Sequence, residues 1–339
     1  MKVALVTDVW HPQVNGLVHT WQHMQRELAE LGHELAVLHP GLYPSRPLPR
    51  YPENRLVMRP WRAVREWLAR EQPDAIHLAT EGPLGLAMRQ WCRQRDWPFT
   101  SSYHARLTVV LPRYARVPTS LVRAYVRWFH GAAATTLAPA ASVCEELHDI
   151  GVHRVAVWKH GVDTHRFRIC GGGAIAELPR PIFLYVGRVA WEKDLADFLK
   201  LDLPGSKVVV GDGPAMPSLR KRFPQAHWQG YRTGDELVRH YNDADVMVFP
   251  SRTDTFGMVL LEANACGLPV AAYPTPGPVD VVDPGVSGVL DDDLRRACMN
   301  ALKLDSDACR RHAQQFSWAA AGRALVEQLA PAQPQQAVA

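Results

Sequence analysis

The sequence predicts an α/β protein built from two doubly wound parallel sheets. The chain has 339 residues, and domains usually hold about 150, so two domains are expected. Short apolar runs rich in β-branched residues alternate with helical patterns in both halves of the chain. This alternation is typical of parallel sheets whose strands are joined by crossover helices. A stretch rich in Gly and Pro, residues 168–181, separates the two series.

The first series begins at the N-terminus with a buried strand. We expect strands at 3–7, 34–38, 75–78, 99–102 and 155–158, and helices at 17–31 and 84–95. Between the second and third strands comes a Pro-rich segment, 40–60, to which no element is assigned, followed by a short helix. The run GAAATTLAPAASVCEEL predicts one more strand and helix. Together these elements form one Rossmann-like domain.

The second series repeats the pattern after the Gly-rich stretch. Its predicted strands are 181–186, 207–210, 227–229, 246–249 and 270–272, and its predicted helices are 195–199, 215–223, 233–243 and 256–266. We therefore expect an N-terminal domain over 1–168, a linker over 169–181, a C-terminal domain over 182–315, a helix over 316–330 that packs back on the N-terminal domain, and a frayed tail over 331–339. Ligands of parallel sheets bind beyond the carboxyl ends of the strands, so two facing domains predict a site in the cleft between them.

Composition excludes several classes of protein. An apolar fraction of 47% argues against disorder, and the six cysteines show neither a C-x-x-C pair nor short spacing to histidine. No signal peptide and no uncharged apolar stretch of about 18 residues is present, which predicts a cytoplasmic protein without a membrane span. The first strand is followed by DVWHPQVNG (8–16) rather than G-x-G-x-x-G, which disfavours a nicotinamide dehydrogenase.

Charge is distributed unevenly along the chain. Residues 1–170 carry 21 Lys and Arg against 14 Asp and Glu, whereas the remainder has a net charge of −3. Segment 97–144 holds no acidic residue, and its arginines alternate with large apolar side chains: Arg106, Arg113, Arg116, Arg123 and Arg127. This pattern suits an interfacial segment on an anionic membrane, or equally a buried helix with a solvated Arg face. A nucleic-acid partner is disfavoured, since no recognised module is present and the total charge is +4.

Two cations follow the first strand of the second series. Arg188 and Lys193 lie at a strand-to-helix turn, where they could clamp a diphosphate or simply be solvated. The turn Gly211-Asp212-Gly213-Pro214 follows the next strand and fits either a close backbone approach to a ligand or a tight connection.

Residues 249–263 follow a pattern of strand, loop and helix that contains two acids eight positions apart. Asp254 precedes the helix and Glu262 lies within it, and the backbone N–H groups at 257–259 belong to its first turn, where phosphates bind well. The plain alternative makes Asp254 an N-cap and Glu262 a solvated helix residue.

Taken together, VGRVAWEK (186–193), VGDGP (210–214), SRTDTFGMVLLEANACGLPV (251–270) and PQVNG (12–16) resemble the retaining glycosyltransferases of family 4. The resemblance covers nearly the whole chain. It implies the GT-B fold, in which two Rossmann-like domains face each other across a cleft. One departure is Asp254, which is the first acid of a pair that is usually E-x7-E.

The resemblance also implies roles for individual residues. It places Arg188 and Lys193 on the donor diphosphate, Asp254 on the transferred sugar, Glu262 on the ribose and His104 as the active-site histidine. The remaining implied donor contacts are Gly16, Gly211, Gly257, Met258 and Val259. Arg188, Lys193 and helix N–H groups would stabilise the leaving diphosphate. No metal or other cofactor is then expected, and the D-x-D patterns at 243–245 and 291–293 are interpreted as structural.

Further stretches, including ATEGPLG (79–85) and YPTPGPVDVV (273–282), resemble the bacterial members that glycosylate lipids. We therefore predict transfer from UDP-glucose or UDP-glucuronate, ahead of GDP-mannose, to a membrane lipid such as diacylglycerol. The five arginines of segment 97–144 would form the membrane and acceptor face on the inner side of the cytoplasmic membrane. A soluble acceptor, a sugar-nucleotide epimerase and an inactive binding protein of the same fold remain alternatives.

Overall fold

The computed structural model describes residues 1–11, 13, 15–48 and 51–331. Within this part of the chain there are two compact units. The first contains residues 1–159 together with the segment from Trp318 onward, and the second contains residues 160–317. Two residues of the PQVNG motif, Pro12 and Val14, lie outside the described residues, as does the predicted frayed tail beyond Pro331.

The first unit is built on a six-stranded sheet of parallel strands in the order β2-β1-β5-β6-β7-β8. Its central strands are fully buried, as their apolar sequences require. The strands of this unit are β1 (Lys2–Val6), β2 (Glu34–Leu38), β3 (Ser45–Leu48), β4 (Tyr51–Val57), β5 (Ala75–Leu78), β6 (Thr100–Ser102), β7 (Thr136–Ala138) and β8 (Val155–Val157).

Helices cross over between these strands. They are α1 (Gly16–Glu30), α2 (Pro60–Glu71), α3 (Pro83–Gln94), α4 (Leu107–Val110), α5 (Thr119–His130) and α6 (Ala141–Asp149), with a 3₁₀ turn at Pro40–Leu42 and a π-helical turn at Leu111–Ala115. Helix α1 begins after Asn15, whose side-chain oxygen accepts a hydrogen bond from the Val18 N–H at 3.0 Å. This is the ordinary chemistry of an N-cap.

The Pro-rich segment contains two strands that the sequence prediction missed. Strands β3 and β4 pair in antiparallel fashion, separate from the six-stranded sheet, in a region where the sequence prediction placed no strand or helix. Prolines obscured the pattern, because proline cannot donate to a ladder and usually marks the end of a strand. Here Pro47 pairs with Arg55 in a two-stranded ribbon. The outer edge of each strand in such a ribbon has no neighbouring strand, so the backbone N–H that proline lacks is not needed there.

Asp8 connects the end of β1 to the start of α3. Its carboxylate accepts hydrogen bonds from the Leu84 N–H at 2.9 Å and from the Thr80 hydroxyl at 2.8 Å. Burial raises the pKa of Asp8, while these hydrogen bonds oppose the shift. A Cβ on Gly82 would lie 2.5 Å from the Asp8 carboxylate, so glycine is required for this approach. The negative charge lies at the positive end of the helix, which stabilises it.

The second unit contains the other six-stranded parallel sheet, in the order β11-β10-β9-β12-β13-β14. Its strands are β9 (Ile182–Val186), β10 (Ser206–Val210), β11 (His227–Gly230), β12 (Val246–Phe249), β13 (Val270–Ala272) and β14 (Gly288–Leu290). Its helices are α7 (Leu195–Lys200), α8 (Met216–Arg222), α9 (Gly234–Asp243), α10 (Met258–Ala265), α11 (Pro278–Val281), α12 (Leu294–Ala301) and α13 (Ser306–Ala313), with a 3₁₀ turn at Trp191–Lys193. Each unit thus has the doubly wound sheet that was predicted.

The predicted linker, residues 169–181, belongs to the second unit. The Asp243 carboxylate accepts hydrogen bonds from the backbone N–H groups of Gly173, Ala174 and Ile175 at 2.7–3.0 Å. Asp245 similarly binds Arg180 and the Ile182 N–H. These contacts hold the Gly-rich stretch against the end of α9 and the residues that lead into β12, and the boundary between the units falls earlier, at residues 159 and 160.

The last helix, α14 (Trp318–Gln328), belongs to the first unit and packs on α1. The rings of Trp318 and His23 stack at 4.5 Å, and the Trp158 indole N–H donates to the Ala321 carbonyl at 2.9 Å. A Cβ on Gly322 would lie 2.8 Å from the Cβ of Glu27, so glycine permits the close approach of the two helices.

Candidate active site

In the second unit, the strand order reverses direction between β9 and β12. The chain builds outward from β9 to β10 and β11, then returns to the other side of β9 with β12. Loops at such a switch point diverge and leave a crevice at the carboxyl ends of the strands. Arg188 and Lys193 follow β9, and Asp254 follows β12, so the fold brings these three predicted residues to one crevice.

Lys193 and Asp254 are in direct contact. The Lys193 Nζ lies 2.6 Å from Oδ1 of Asp254, and each side chain is about one fifth exposed. The same two loops are joined by the Thr253 hydroxyl, which donates to the Glu192 carbonyl at 2.8 Å. The other carboxylate oxygen of Asp254, Oδ2, is buried and accepts no hydrogen bond from the described residues. A buried oxygen without a donor is costly, and a ligand hydroxyl would satisfy it.

The alternative role of Asp254 as an N-cap is not observed. The residue that precedes α10 is Gly257, whose φ of 88° lies in the left-handed region that favours glycine. A Cβ at Gly257 would also lie 2.9 Å from the Leu260 side chain. Gly257, Met258 and Val259 form the start of this helix as predicted, and their contact with a donor phosphate stays a prediction.

Arg188 lies half-buried after Gly187, and its carbonyl accepts a hydrogen bond from the Tyr185 hydroxyl at 2.8 Å. Gly211 packs against this loop. A Cβ on Gly211 would lie 1.9 Å from the Gly187 carbonyl oxygen, and the Val189 N–H donates to the Asp212 carbonyl at 2.9 Å. The backbones of the two loops are therefore in close contact. Gly211 is required for this contact, whether or not it also contacts a donor.

Glu262 lies further along α10 and is not a solvated helix residue. Its Oε2 accepts a hydrogen bond from the Tyr241 hydroxyl at 2.9 Å. Burial raises the pKa of Glu262 to about 7, and the positive charge of Arg166 opposes the shift. Tyr241 was not found from the sequence, because a lone tyrosine in the polar helix α9 carries no signal of its partner.

In the first unit, His104 follows β6. Its Nε2 lies 2.8 Å from the Ser102 Oγ, and the Trp21 and Trp158 rings lie 6.5 and 6.0 Å from the imidazole. Burial, together with the nearby His130, lowers the pKa of His104 to about 4, so the imidazole is neutral at physiological pH. Gly16, the predicted donor contact of this unit, is the exposed first residue of α1.

The basic segment contains α5, which has one buried and one exposed face. Val122, Val126 and Phe129 are buried, whereas Leu121 and Trp128 are 61% and 52% exposed. Four predicted arginines are exposed on or just before this helix: Arg113, Arg116, Arg123 and Arg127. The helix therefore has a buried face and also exposes aromatic, aliphatic and basic side chains together, and binding of this face to a membrane stays a prediction.

Arg106 differs from the other four arginines. Its guanidinium Nε lies 2.8 Å from the Glu146 carboxylate, and the two side chains are only 12% and 18% exposed. Arg106 is therefore ion-paired and, unlike the other four, mostly buried, and its assignment to the membrane and acceptor face stays a prediction. Segment 97–144 lacks acids, but Glu146 lies just beyond it on α6 and pairs with this arginine.

Two further features concern metals and membranes. Within the ranges described above, no three His, Cys, Asp or Glu side chains are arranged to hold a metal ion. The D-x-D patterns have structural contacts: Asp243 and Asp245 hold residues 173–182, and Asp293 caps α12. Among the described helices, none combines the length and apolar character needed to cross a bilayer.

Comparison with known proteins identifies the family. Residues 14–166 match the family model Glycosyltransferase Family 4, and residues 180–303 match Glycosyl transferases group 1. Over 318 residues, the chain is 32% identical to a GDP-mannose-dependent alpha-mannosyltransferase of Mycobacterium tuberculosis, covering 86% of this chain and 83% of that protein. The chain belongs to glycosyltransferase family 4.

This family 4 member is therefore a glycosyltransferase that uses a nucleotide-sugar donor. A second relative, the alpha-monoglucosyldiacylglycerol synthase of Streptococcus pneumoniae, is 25% identical over 360 residues, covering 91% of this chain and 79% of that protein. Among solved structures, sucrose-phosphate synthase from Thermosynechococcus elongatus superposes with a TM-score of 0.78 at 20% identity, covering 96% and 97% of the two chains. This likeness confirms the GT-B fold class predicted for the glycosyltransferase.

Proposed function

We propose that the enzyme transfers a hexosyl group from a nucleotide-diphosphate sugar to a membrane lipid such as diacylglycerol, with retained anomeric configuration. The observation that carries this proposal is the Lys193–Asp254 pair at the switch point of the second sheet. Lys193 offers a cation for the diphosphate, and the unsatisfied Oδ2 of Asp254 offers an acceptor for a sugar hydroxyl.

The leaving group of the reaction is a nucleoside diphosphate, which gains negative charge as the glycosidic bond breaks. Arg188 and Lys193 lie on the β9 loop that faces this crevice. Fixed cations and helix N–H groups aimed at developing charge lower the barrier, because they need no reorganisation during the reaction. These groups supply the charge that a metal would otherwise supply, so we propose that transfer does not require a divalent cation.

The names of the relatives change which donors are favoured for testing. The mycobacterial relative is named for GDP-mannose, and it covers most of both chains. We therefore place GDP-mannose beside UDP-glucose and UDP-glucuronate as a candidate donor, where the sequence alone favoured the two UDP sugars.

Two observations support a lipid acceptor. The Streptococcus pneumoniae relative is named as a synthase of a glucosylated diacylglycerol. On the first unit, Leu121 and Trp128 are exposed beside Arg123 and Arg127 on α5. Aromatic and aliphatic groups insert at the headgroup boundary while arginines bind lipid phosphates, which is how peripheral enzymes bind anionic membranes. We propose that this face holds the enzyme on the inner side of the cytoplasmic membrane.

The test is transfer of labelled sugar from each of the three donors into liposomes that contain diacylglycerol and phosphatidylglycerol. We expect label in the organic phase with one donor, undiminished by EDTA, and none with the Lys193→Ala variant. Donor hydrolysis with all label left in the aqueous phase would contradict the lipid acceptor and direct the search to soluble acceptors. Loss of transfer with EDTA, restored by Mg²⁺, would contradict metal independence.

A further inference from the structure

A cavity of about 420 Å³ lies on the surface of the first unit, between α3 and the end of α5. The described residues that line it include two arginines and a tryptophan but no acidic side chain: Arg89, Gln90, Arg93, Trp128, Gly131 and Ala132. Gln90, Arg93 and Gly131 are exposed, so the cavity is open to solvent. Its volume is within the range of about 300 to 1,000 Å³ that is usual for small-molecule sites.

The fold separates this cavity from the candidate active-site residue of the same unit. Helix α3 begins beside Asp8, at the carboxyl ends of the strands, and a crossover helix runs back toward their amino ends. Arg89 and Arg93 lie in the second half of α3, and Gly131 follows α5 just before β7 begins. His104, in contrast, follows the carboxyl end of β6. The cavity is therefore a separate feature, toward the amino ends of the strands.

The guanidinium of Arg89 is fixed in place at the cavity. The residue is only 7% exposed, its Nε donates to the Phe129 carbonyl at 3.1 Å, and its Nη2 donates to the Trp128 carbonyl at 2.6 Å. The guanidinium carbon also lies 3.7 Å from the centre of the Trp128 ring. Among the described residues Nη1 has no hydrogen-bond partner, and it is not buried. Its N–H groups are therefore available to a ligand, and no side-chain entropy is lost when they bind one.

Positive charge accumulates around the end of α5. Arg89 and Arg93 are one turn apart on α3, and Arg154 donates to the Gly131 carbonyl at 3.0 Å. Burial lowers the pKa of Arg89, and the positive charge of Arg93 adds to the shift. A helix C-terminus carries about half a negative charge, so the ends of α3 and α5 offset about one of these three positive charges and leave about two. Like charges one turn apart destabilise a helix, and a bound anion would remove that cost.

The surface beside the cavity indicates where such an anion comes from. Trp128 forms one wall and is 52% exposed, and Leu121, about two turns earlier on the same face of α5, is 61% exposed. Exposed aromatic and aliphatic side chains next to cations are typical of surfaces that bind membranes. A free phosphate ion has no apolar part for these side chains to contact, so the surroundings favour a phosphate that belongs to a membrane lipid.

We propose that this cavity binds the phosphate of an anionic phospholipid, with Arg93 and the Nη1 of Arg89 as hydrogen-bond donors and Trp128 at the headgroup boundary. Arginine suits this role because its planar fork donates to two oxygens of one phosphate. The inference rests on the proposed function for the presence of a membrane. Diacylglycerol carries no phosphate, so the lipid bound here is distinct from the proposed acceptor and holds the first unit on the bilayer.

Arg93→Gln tests the site without removing a contact that the fold needs. Loss of this charge ends the repulsion with Arg89, so the variant should melt at the wild-type temperature or above it. Its partition coefficient onto mixed phosphatidylglycerol and phosphatidylcholine vesicles, measured by sedimentation of the full-length protein, should fall by about 10-fold or more, since hydrogen bonds to charged groups are the strong ones. On vesicles of phosphatidylcholine alone, wild type and variant should partition equally.

Arg95→Gln is the matched control. Arg95 is exposed at the end of the same helix and lies 4.6 Å from the Trp91 ring, and it is not one of the residues that line the cavity. This variant should lose no more than the about 5-fold that one diffuse charge contributes near an anionic surface. Equal losses in Arg93→Gln and Arg95→Gln, or no binding of wild-type protein to the mixed vesicles, would overturn the proposal.

A competition experiment separates a lipid phosphate from a free one. Inorganic phosphate should release no more wild-type protein from the mixed vesicles than sodium chloride does at equal ionic strength, because both salts only screen charge. Greater release by phosphate, seen with wild type and not with Arg93→Gln, would identify a free-phosphate site and overturn the lipid assignment.

Failure of this inference differs from failure of the proposed function. Sugar transfer into diacylglycerol, with equal vesicle binding by wild type, Arg93→Gln and Arg95→Gln, would refute the phospholipid site and keep the proposed function. Selective loss of vesicle binding in Arg93→Gln, in a protein whose wild type transfers no sugar to lipid, would refute the proposed acceptor and keep the phospholipid site.

Discussion

The polar clusters at the carboxyl ends of the two sheets differ in charge. In the second unit, Lys193 and Asp254 form an ion pair and Glu262 holds a carboxyl whose pKa is near neutrality. In the first unit, His77, Ser102 and His104 are linked by hydrogen bonds and carry no net charge at physiological pH. Both sheets are six-stranded and parallel, although their strand orders differ, and their polar clusters differ in the chemistry of the groups they contain.

This difference suits two tasks. A nucleoside diphosphate is an anion, and cations near it contribute to binding and to stabilising the leaving group. A sugar hydroxyl is neutral, and a buried neutral polar group can bind it through a hydrogen bond without the cost of desolvating a charge. We therefore expect substitutions in the charged cluster to change donor binding and turnover together, and substitutions in the neutral cluster to change turnover alone.

The largest expected effect follows from removing the charge of Lys193. Lys193→Ala should lower kcat by about 10² to 10³, the loss typical of one stabilising group in a charged transition state. It should also weaken donor binding, measured by calorimetry with the nucleotide sugar. Lys200→Ala, at an exposed position on α7, is the matched control. Donor affinity at the wild-type level in Lys193→Ala would show that the charged cluster does not bind the donor.

The neutral cluster is tested by His104→Ala. We expect transfer to fall by about 10², at the lower end of what a positioned histidine contributes, while donor affinity in calorimetry stays within a few fold of wild type. His148→Ala, on the exposed surface of α6, controls for loss of a histidine as such. Wild-type turnover in His104→Ala would show that His104 has no role in transfer.

The outer surface of the first unit contrasts with its neutral interior. Replacing Arg113, Arg116 and Arg123 together by Glu should weaken sedimentation with phosphatidylglycerol liposomes by about 10² or more, since each basic residue contributes about 1 kcal/mol at an anionic surface. Donor binding should not change. The control reverses three basic residues of the second unit, Arg220, Lys221 and Arg222. Equal sedimentation of wild type and the first variant would refute the membrane face.

The smallest effect concerns the pH dependence of stability. The pKa of Glu262 is raised from 4.5 to about 7 on folding, so the folded protein keeps a proton that the unfolded chain has lost. The free energy of unfolding should therefore fall as pH rises from 4.5 to 7, by about 2 kcal/mol. Urea unfolding at both ends of this window should show a smaller fall in Glu262→Gln. Glu236 is an exposed carboxylate on α9, so the fall in the free energy of unfolding in Glu236→Gln should match that of the wild-type protein.

Much of the fold was readable from the sequence because strands in parallel sheets are apolar and their helices are periodic. The donor-side roles of Arg188, Lys193 and Asp254 came from the family resemblance, and their short sequence distances from strand ends explain why the fold brings them to one end of the sheet. Tyr241, His77 and Ser102 could not, since their contacts depend on the register of strands and the packing of helices distant in sequence. The Gly-rich stretch 169–181 looked like a linker because the sequence does not show that Asp243 binds its N–H groups.

The return of α14 to the first unit has a consequence for the order of events during synthesis. The second unit is complete once Ser317 has been made, whereas the first unit still lacks the helix that stacks on His23 and accepts the Trp158 indole N–H. The unit that is synthesised first can thus complete its packing only after the residues of the second unit have been made. Until Trp318 arrives, the α1 face around Glu27 stays uncovered, and a chaperone or a neighbouring nascent chain can bind it.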